Sequence, residues 1–124
     1  MRRLLGLCLC LILCSLSAAA AERRCGWLAN PTPGDLLLTD RQGDWWITSQ
    51  GQANGPDAAG VDNVPAFDDR QFVETNVPGS GHGYGCACLT VDADAKARRI
   101  TKVISGQILP LSRCRGDKAL PKPD

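Results

Sequence analysis

Cys86 and Cys88, which are separated by one residue, and the chain's single histidine, His82, are the side chains best suited to chemistry. In Cys86-Ala87-Cys88, either thiol could exchange with a disulfide, and the pair with His82 and a further cysteine could supply four zinc ligands. The C-x-C spacing is shorter than the usual spacing in zinc sites, and thiol exchange needs an exposed thiolate of low pKa. We therefore predict no metal and no cofactor, and keep a thiol redox or metal-binding role as an alternative.

His82 lies in a glycine-rich segment, residues 78–85, with the sequence PGSGHGYG. With Ser80 and an acid such as Asp68 it could form the catalytic set of a small hydrolase, but such sets are recognised by geometry, which spacing does not supply. The glycines match a dinucleotide-binding motif only superficially, because no βαβ unit follows them. We expect a solvated histidine in a surface loop and predict no catalytic residue, with a small hydrolase using His82 as a second alternative.

Aromatic side chains are the better candidates for contacting a ligand. Trp45 and Trp46 are adjacent on a predicted strand, so one faces the core and the other the outer surface. An exposed tryptophan is a good platform for a sugar or a protein partner. Tyr84 and His82 complete the candidate ligand-binding set, whereas Trp27 is expected to pack over a disulfide.

The first 21 residues have the three-part pattern of a secretory signal peptide. A positive start, Met1-Arg2-Arg3, precedes an apolar run at residues 4–16, and small residues follow. The run is shorter than the roughly 18–20 residues that span a bilayer. Alanines at 19 and 21 fit an A-x-A cleavage site. We therefore expect a mature chain that begins at Glu22, has no stable membrane span, and is periplasmic or secreted.

Removal of this segment leaves an even number of cysteines, namely Cys25, Cys86, Cys88 and Cys114. An even number in a small exported chain indicates a disulfide framework. Side chains at i and i+2 of a strand lie about 6.6 Å apart along the chain, so a bond between Cys86 and Cys88 would be strained. One of the two is predicted to pair with Cys25 and the other with Cys114, and either arrangement fits the sequence.

Short apolar runs between glycine- and proline-rich turns predict five strands. The predicted strands are residues 36–39, 45–49, 71–75, 86–92 and 98–105. Residues 40–44 and 92–97 are predicted hairpin connections, and residues 110–120 are predicted to hold one short helical turn. The pattern predicts an all-β fold, a small antiparallel sheet or partly open barrel of about five strands cross-linked by two disulfides.

Length and charge narrow the class of protein. A chain of 124 residues holds at most one domain, which we place at residues 22–124 with a short C-terminal tail. Without Arg2 and Arg3 the chain carries 12 basic and 13 acidic side chains. This near-neutral balance argues against nucleic-acid binding, which requires a basic face.

Several spaced motifs resemble a known family. The motifs are RCGW at 24–27, NPTPG at 30–34, GYGCACL at 83–89 and PLxxCR at 110–115. They closely resemble a family of small exported bacterial proteins catalogued as domain of unknown function 4087, over about residues 24–120. The resemblance implies a bacterial, exported, single-domain protein. It supplies no activity, substrate or site residues, because the family is uncharacterised.

We predict a non-enzymatic binding or structural module of the bacterial cell envelope, with a protein or a glycan as its partner. The expected contacts are the outer tryptophan of the pair Trp45 and Trp46, Tyr84, and the loop at residues 78–85. An inhibitor-like role is one concrete form of this prediction, by analogy of fold alone. The identity of the partner and the oligomeric state are open at this level.

Overall fold

The computed structural model describes residues 21–123. The predicted signal peptide, residues 1–21, therefore lies almost entirely outside the described residues, and its cleavage site stays a prediction. Within the described range, no helix is long and apolar enough to cross a membrane.

Six strands and one short helix form the domain. They are β1 (Glu22–Ala29), β2 (Leu36–Asp40), β3 (Gly43–Thr48), β4 (Phe72–Glu74), β5 (Gly83–Asp94), β6 (Arg99–Leu109) and α1 (Leu111–Arg115). All five predicted strands are present as β2 to β6, both predicted hairpins join paired strands, and the predicted helical turn is α1. The fold is mostly β, as predicted, with one strand more than expected.

The additional strand, β1, has no clear alternating pattern, because charged residues begin it and Gly26 interrupts it. It lies between β2 and β5 and pairs antiparallel with both. A Cβ atom at position 26 would lie 2.0 Å from the backbone oxygen of Thr39, so only glycine permits this close approach to β2. The residue that weakens the strand signal is therefore the one that lets β1 join the sheet.

Hydrogen bonding runs through β1, β2, β3, β6 and β5 and returns to β1, while β4 pairs with the start of β5. The prediction was a small antiparallel sheet or partly open barrel, and the observed sheet is mixed: most pairs are antiparallel, while β3 and β6 run parallel where Trp46 pairs with Arg99. Ala58 donates its backbone N–H to Ile47 of β3, and Ala59 donates to Thr101 of β6. The segment after β3 thus bridges these strands and completes the ring.

Apolar side chains are buried on both faces of the sheet. The main core contains Leu28, Leu38, Trp45, Ile47, Ala58, Ala87, Leu89, Val91, Ile100 and Val103. A smaller outer cluster contains Trp27, Cys86 and Cys114, with Tyr84, Leu109, Leu111 and Leu120 packed against it. Alternation along β5 produces the division, since Leu89 faces the main core and Cys86 the outer cluster. The outer cluster is the part of the fold that positions the candidate site.

The two disulfides are Cys25–Cys88, which joins β1 to β5, and Cys86–Cys114, which joins β5 to α1. This confirms the predicted framework and selects one of the two arrangements that fit the sequence. The register explains the choice, because Cys25 lies directly opposite Cys88 in the β1–β5 pair. Cys86 and Cys114 are buried in the outer cluster, with Trp27 packed against them as expected.

A buried charged cluster ties together β1, β2 and β3. The Asp40 carboxylate accepts hydrogen bonds from Arg24 Nη1 (2.7 Å), Trp45 Nε1 (3.0 Å) and the backbone N–H of Gln42 (2.8 Å). The guanidinium carbons of Arg24 and Arg98 lie 3.6 and 4.1 Å from the centroid of the Trp45 ring. Asp40 is therefore the buried carboxylate of the cluster, and Glu22, which is more exposed, pairs with the other terminal nitrogen of Arg24 at 2.8 Å.

Candidate functional site

An aromatic pair lies on the outer face of the sheet. Trp27 of β1 and Tyr84 of β5 pack edge to face, with ring centroids 5.2 Å apart and an interplanar angle of 81°. The register places them together, because Tyr84 pairs with Ala29, two residues beyond Trp27 on the same face. Trp27 is buried and Tyr84 is half-buried, so the tyrosine presents the more accessible ring.

Two grooves meet at this pair. The first has a volume of about 540 Å³ and lies between the aromatic pair and the segment after α1. The second, of about 310 Å³, continues from the pair across β1 and β2 to Pro31 and Thr75. Both grooves share the aromatic pair and the C-terminal segment at residues 121–123. We call the two together the aromatic groove.

Positive charge borders the first of these grooves. Arg115, Lys118 and Lys122 line it, and no carboxylate of residues 21–123 lies within 4.0 Å of their charged nitrogens. The carboxylate in the lining, Asp117, is already paired with Arg41 at 3.0 Å. The rim therefore favours a ligand that carries negative charge or hydrogen-bond acceptors.

Asp117 anchors the segment after α1 through its ion pair with Arg41, and the ionisation of its carboxyl tests whether that ion pair holds the segment. The hydrogen bond from Arg41, with a further one from the Ala119 backbone N–H, holds the pKa of the Asp117 carboxyl below its ordinary value. A depressed folded-state pKa stabilises the fold above the unfolded value of about 3.9, and the contribution is lost as pH falls through the folded value. We expect the Ala119 amide resonance to titrate below pH ~3.9.

The Arg41→Ala variant is the control for this titration. Removal of the guanidinium should move the midpoint of the Ala119 resonance upward while leaving the resonances of β5 in place. The same midpoint in both proteins would show that the ion pair does not hold the segment.

A braced loop, residues 75–82, lies at the far end of the second groove. The Glu74 carboxylate accepts hydrogen bonds from two backbone N–H groups of the loop, at 2.6 and 3.2 Å. The Asn30 side chain bonds two further backbone groups at the end of the loop, at 3.1 and 2.9 Å. Val77 in this loop is 71% exposed. The loop therefore presents an apolar side chain on a backbone held by many hydrogen bonds.

The comparison with known proteins gives the family. The model of the family described as "Protein of unknown function (DUF4087)" matches residues 19–121, most of the chain. The chain belongs to this family. The match confirms the resemblance carried by the four motifs. No curated protein and no solved structure matches the chain.

In this DUF4087 protein, His82 is half-buried at the end of the braced loop. Its Nδ1 lies 3.0 Å from the carbonyl oxygen of Asn30, so this nitrogen donates the hydrogen bond. The Ser80 hydroxyl donates to the carbonyl of Thr75 and accepts from the backbone N–H of His82, not from its ring. Asp68 caps a short 3-10 turn, where it accepts from the Arg70 backbone. These hydrogen bonds give His82 and Ser80 a role in holding the loop.

The other candidate residues lie in different parts of the domain. Tyr84 lies in the aromatic groove, whereas Trp45 is buried in the main core. Trp46, the outer tryptophan, is half-buried at the β3–β6 junction and is not among the residues that line the aromatic groove. Within residues 21–123, no three side chains of His, Cys, Asp or Glu are grouped as a metal site would require.

Sequence reasoning missed two components of the aromatic groove. Trp27 was expected only to pack over a disulfide, yet it also lines both grooves. The C-terminal segment carried a usable signal, because Leu120-Pro121-Lys122-Pro123 has proline at alternate positions and favours an extended backbone. Its place beside Trp27, 94 residues away in the chain, follows from the tertiary fold.

Proposed function

We propose that the protein is a non-enzymatic binding module of the bacterial cell envelope that recognises a protein or glycan partner through the aromatic groove and the loop at residues 75–82. The observation that carries the proposal is the Trp27–Tyr84 pair at the junction of two grooves, outside the main core. Aromatic walls with a few polar and charged groups at the rim are typical of ligand grooves.

The braced loop supports the same proposal. A loop already held by backbone hydrogen bonds loses little conformational entropy when it meets a partner. Val77 projects from it, and Thr75 at its base lines the second groove. The loop and the aromatic groove can therefore contact one partner as a continuous surface.

The proposed location rests on the two disulfides, because such bonds persist in oxidising compartments. The periplasm and the exterior of the cell both meet this condition. The predicted signal peptide supports export independently of the disulfides.

The two alternatives have less support in the geometry. A redox role would depend on Cys25–Cys88, since Cys25 is exposed whereas the Cys86–Cys114 bond is buried. A hydrolase would need the His82 ring to activate a nucleophile, yet the hydroxyl of the nearby Ser80 bonds backbone groups. Cys25 lines a separate groove of about 400 Å³, but its lining is polar and charged and contains no aromatic side chain.

The experiment is affinity capture from bacterial envelope extracts with the exported wild-type protein and three variants. Tyr84→Ala removes the accessible aromatic ring. Val77→Asp replaces the exposed apolar side chain of the loop with a charged one, and Lys118→Glu reverses a charge on the rim. We expect each variant to retain at least about tenfold less of the partner, because loss of an interface anchor costs about 2 kcal/mol or more. Pelleting with purified peptidoglycan distinguishes a glycan partner from a protein partner.

Lys96→Glu is the matched control, because it makes the same change in charge in the turn at the opposite end of β5. It should retain the partner at the wild-type level. Equal capture by all five proteins, or no partner in either fraction, would contradict the proposed function. Circular dichroism must show the wild-type spectrum for each variant before its binding is compared.

A further inference from the structure

Residues near the C-terminus of the chain form one wall of the aromatic groove. We call residues 120–123, Leu120-Pro121-Lys122-Pro123, the tail. Leu120 packs against the outer cluster, and the residues after it line both grooves opposite Trp27 and Tyr84. The indole Nε1–H of Trp27 donates a hydrogen bond to the carbonyl oxygen of Pro121 at 3.1 Å. A proline-containing segment of this chain is thus docked on the indole of Trp27.

The prolines of the tail match the aromatic surface of Trp27 and Tyr84, and its carbonyl groups supply the hydrogen-bond acceptors that this surface favours. A proline ring fixes its own φ near −65° and biases the preceding residue toward an extended conformation, so Leu120-Pro121 and Lys122-Pro123 are stiff before they dock. Proline has no backbone N–H, and its carbonyl is a free acceptor for an indole donor. Extended proline-containing segments dock on aromatic-lined grooves for these reasons.

The tail is attached firmly at one end and weakly at the other. The Cys86–Cys114 disulfide, the Arg41–Asp117 ion pair and the packing of Leu120 hold the chain up to residue 120. Beyond Leu120, the bond from Trp27 to Pro121 is the one hydrogen bond that the described residues make to the tail. Segments with so few bonds open at low free energy, without unfolding of the sheet.

We propose that the aromatic groove binds an extended peptide segment of a partner protein with proline at alternate positions, and that the tail is its intramolecular competitor. This inference rests on the proposed function, to which it adds the chemistry of the partner. A tethered segment acts at an effective concentration of about millimolar, so a free peptide must displace it. Release of the tail then exposes the indole N–H of Trp27 to the incoming carbonyl.

The test uses the full chain and a synthetic peptide, acetyl-Ala-Leu-Pro-Lys-Pro-amide, which copies residues 119–123. The protein variant is Pro121→Gly with Pro123→Gly, which removes the two rings and the stiffness of the tail. The readout is the indole N–H resonance of Trp27 in a ¹H–¹⁵N spectrum, assigned by comparison with Trp27→Phe. We expect saturable shifts and binding about tenfold or more tighter to the variant than to the wild type.

A peptide with glycine at both proline positions is the matched control and should leave the resonance unshifted. Failure of the proline peptide to shift the resonance in the variant would overturn the proposed peptide class. Equal affinity for variant and wild type would overturn the competition by the tail. Loss of the envelope partner in Tyr84→Ala, together with no peptide binding, would leave the proposed function standing and refute only this inference.

The two substituted prolines lie outside the strands and the main core, so the double variant should keep the fold. The strand resonances of the double variant should coincide with those of the wild type. If they do not, the single variants Pro121→Ala and Pro123→Ala give the same comparison, with binding expected between the two extremes. Single variants that bind the peptide no more tightly than the wild type would also overturn the competition.

Discussion

Replacing Asp40 with alanine should lower the free energy of unfolding by about 3 kcal/mol, because it removes the buried carboxylate that pairs with the Arg24 guanidinium and leaves Arg24 only the more exposed carboxylate of Glu22. The carboxylate is 9% exposed and faces the Arg24 guanidinium, which is 11% exposed, at 2.7 Å. The same change removes the acceptors of Trp45 Nε1 and of the Gln42 backbone. Urea denaturation followed by far-ultraviolet circular dichroism measures the loss.

Two further variants separate charge from hydrogen bonding. Asp40→Asn keeps one acceptor oxygen and loses the negative charge, so its loss of stability should be intermediate. Asp44→Ala is the matched control on the same hairpin. Asp44 is exposed and accepts one hydrogen bond from Thr39 at 2.6 Å, so its loss should cost at most about 1 kcal/mol. Similar losses for Asp40→Ala and Asp44→Ala would refute the importance of the buried cluster.

The second large effect is expected at Cys86–Cys114. Replacing both cysteines with alanine should lower the free energy of unfolding by about 3–4 kcal/mol, on the model in which a disulfide restricts the unfolded chain. The bond closes a separation of 28 residues and is buried in the outer cluster, where it ties α1 to β5. We also expect α1 and the Leu120 amide, which donates to the carbonyl of Asp117, to lose protection in amide hydrogen exchange, because this disulfide holds them to the sheet.

Replacement of Cys25 and Cys88 by alanine is the matched comparison. Its separation of 63 residues predicts a loss of stability at least as large. The eight residue pairs between β1 and β5 keep these strands together when the bond is absent. Hydrogen exchange in α1 should therefore stay at the wild-type level. Faster exchange of α1 in both double variants would show that Cys86–Cys114 does not specifically hold the helix.

Local patterns account for most of the strands. The predicted strand at residues 86–92 is part of β5, and alternation along it places Leu89 in the main core and Cys86 in the outer cluster. The β2–β3 hairpin was predictable because polar residues and Gly43 follow one apolar run and precede the next. Such features depend only on residues close together in the chain, so the sequence pattern is sufficient to predict them.

The sixth strand was missed for a physical reason. Burial and pairing partners decide whether a segment becomes a strand as much as its own residue preferences do. Glu22, Arg23 and Arg24 carry no strand signal, and the ion pair from Arg24 to Asp40 becomes favourable only when β2 lies beside β1. The parallel contact of Trp46 with Arg99 likewise joins residues that share no local pattern.

By itself, the sequence determined the all-β class, the positions of five strands, the presence of two disulfides and the membership of a family of unknown function. These properties follow from local periodicity, cysteine number and spaced motifs. The tertiary structure alone decided the disulfide pairing, the closure of the ring and the aromatic groove. Each of these depends on which distant segments meet, as when Trp27 bonds Pro121. The packing of buried side chains that are far apart in the chain determines these contacts, and a single sequence contains no local pattern that predicts them.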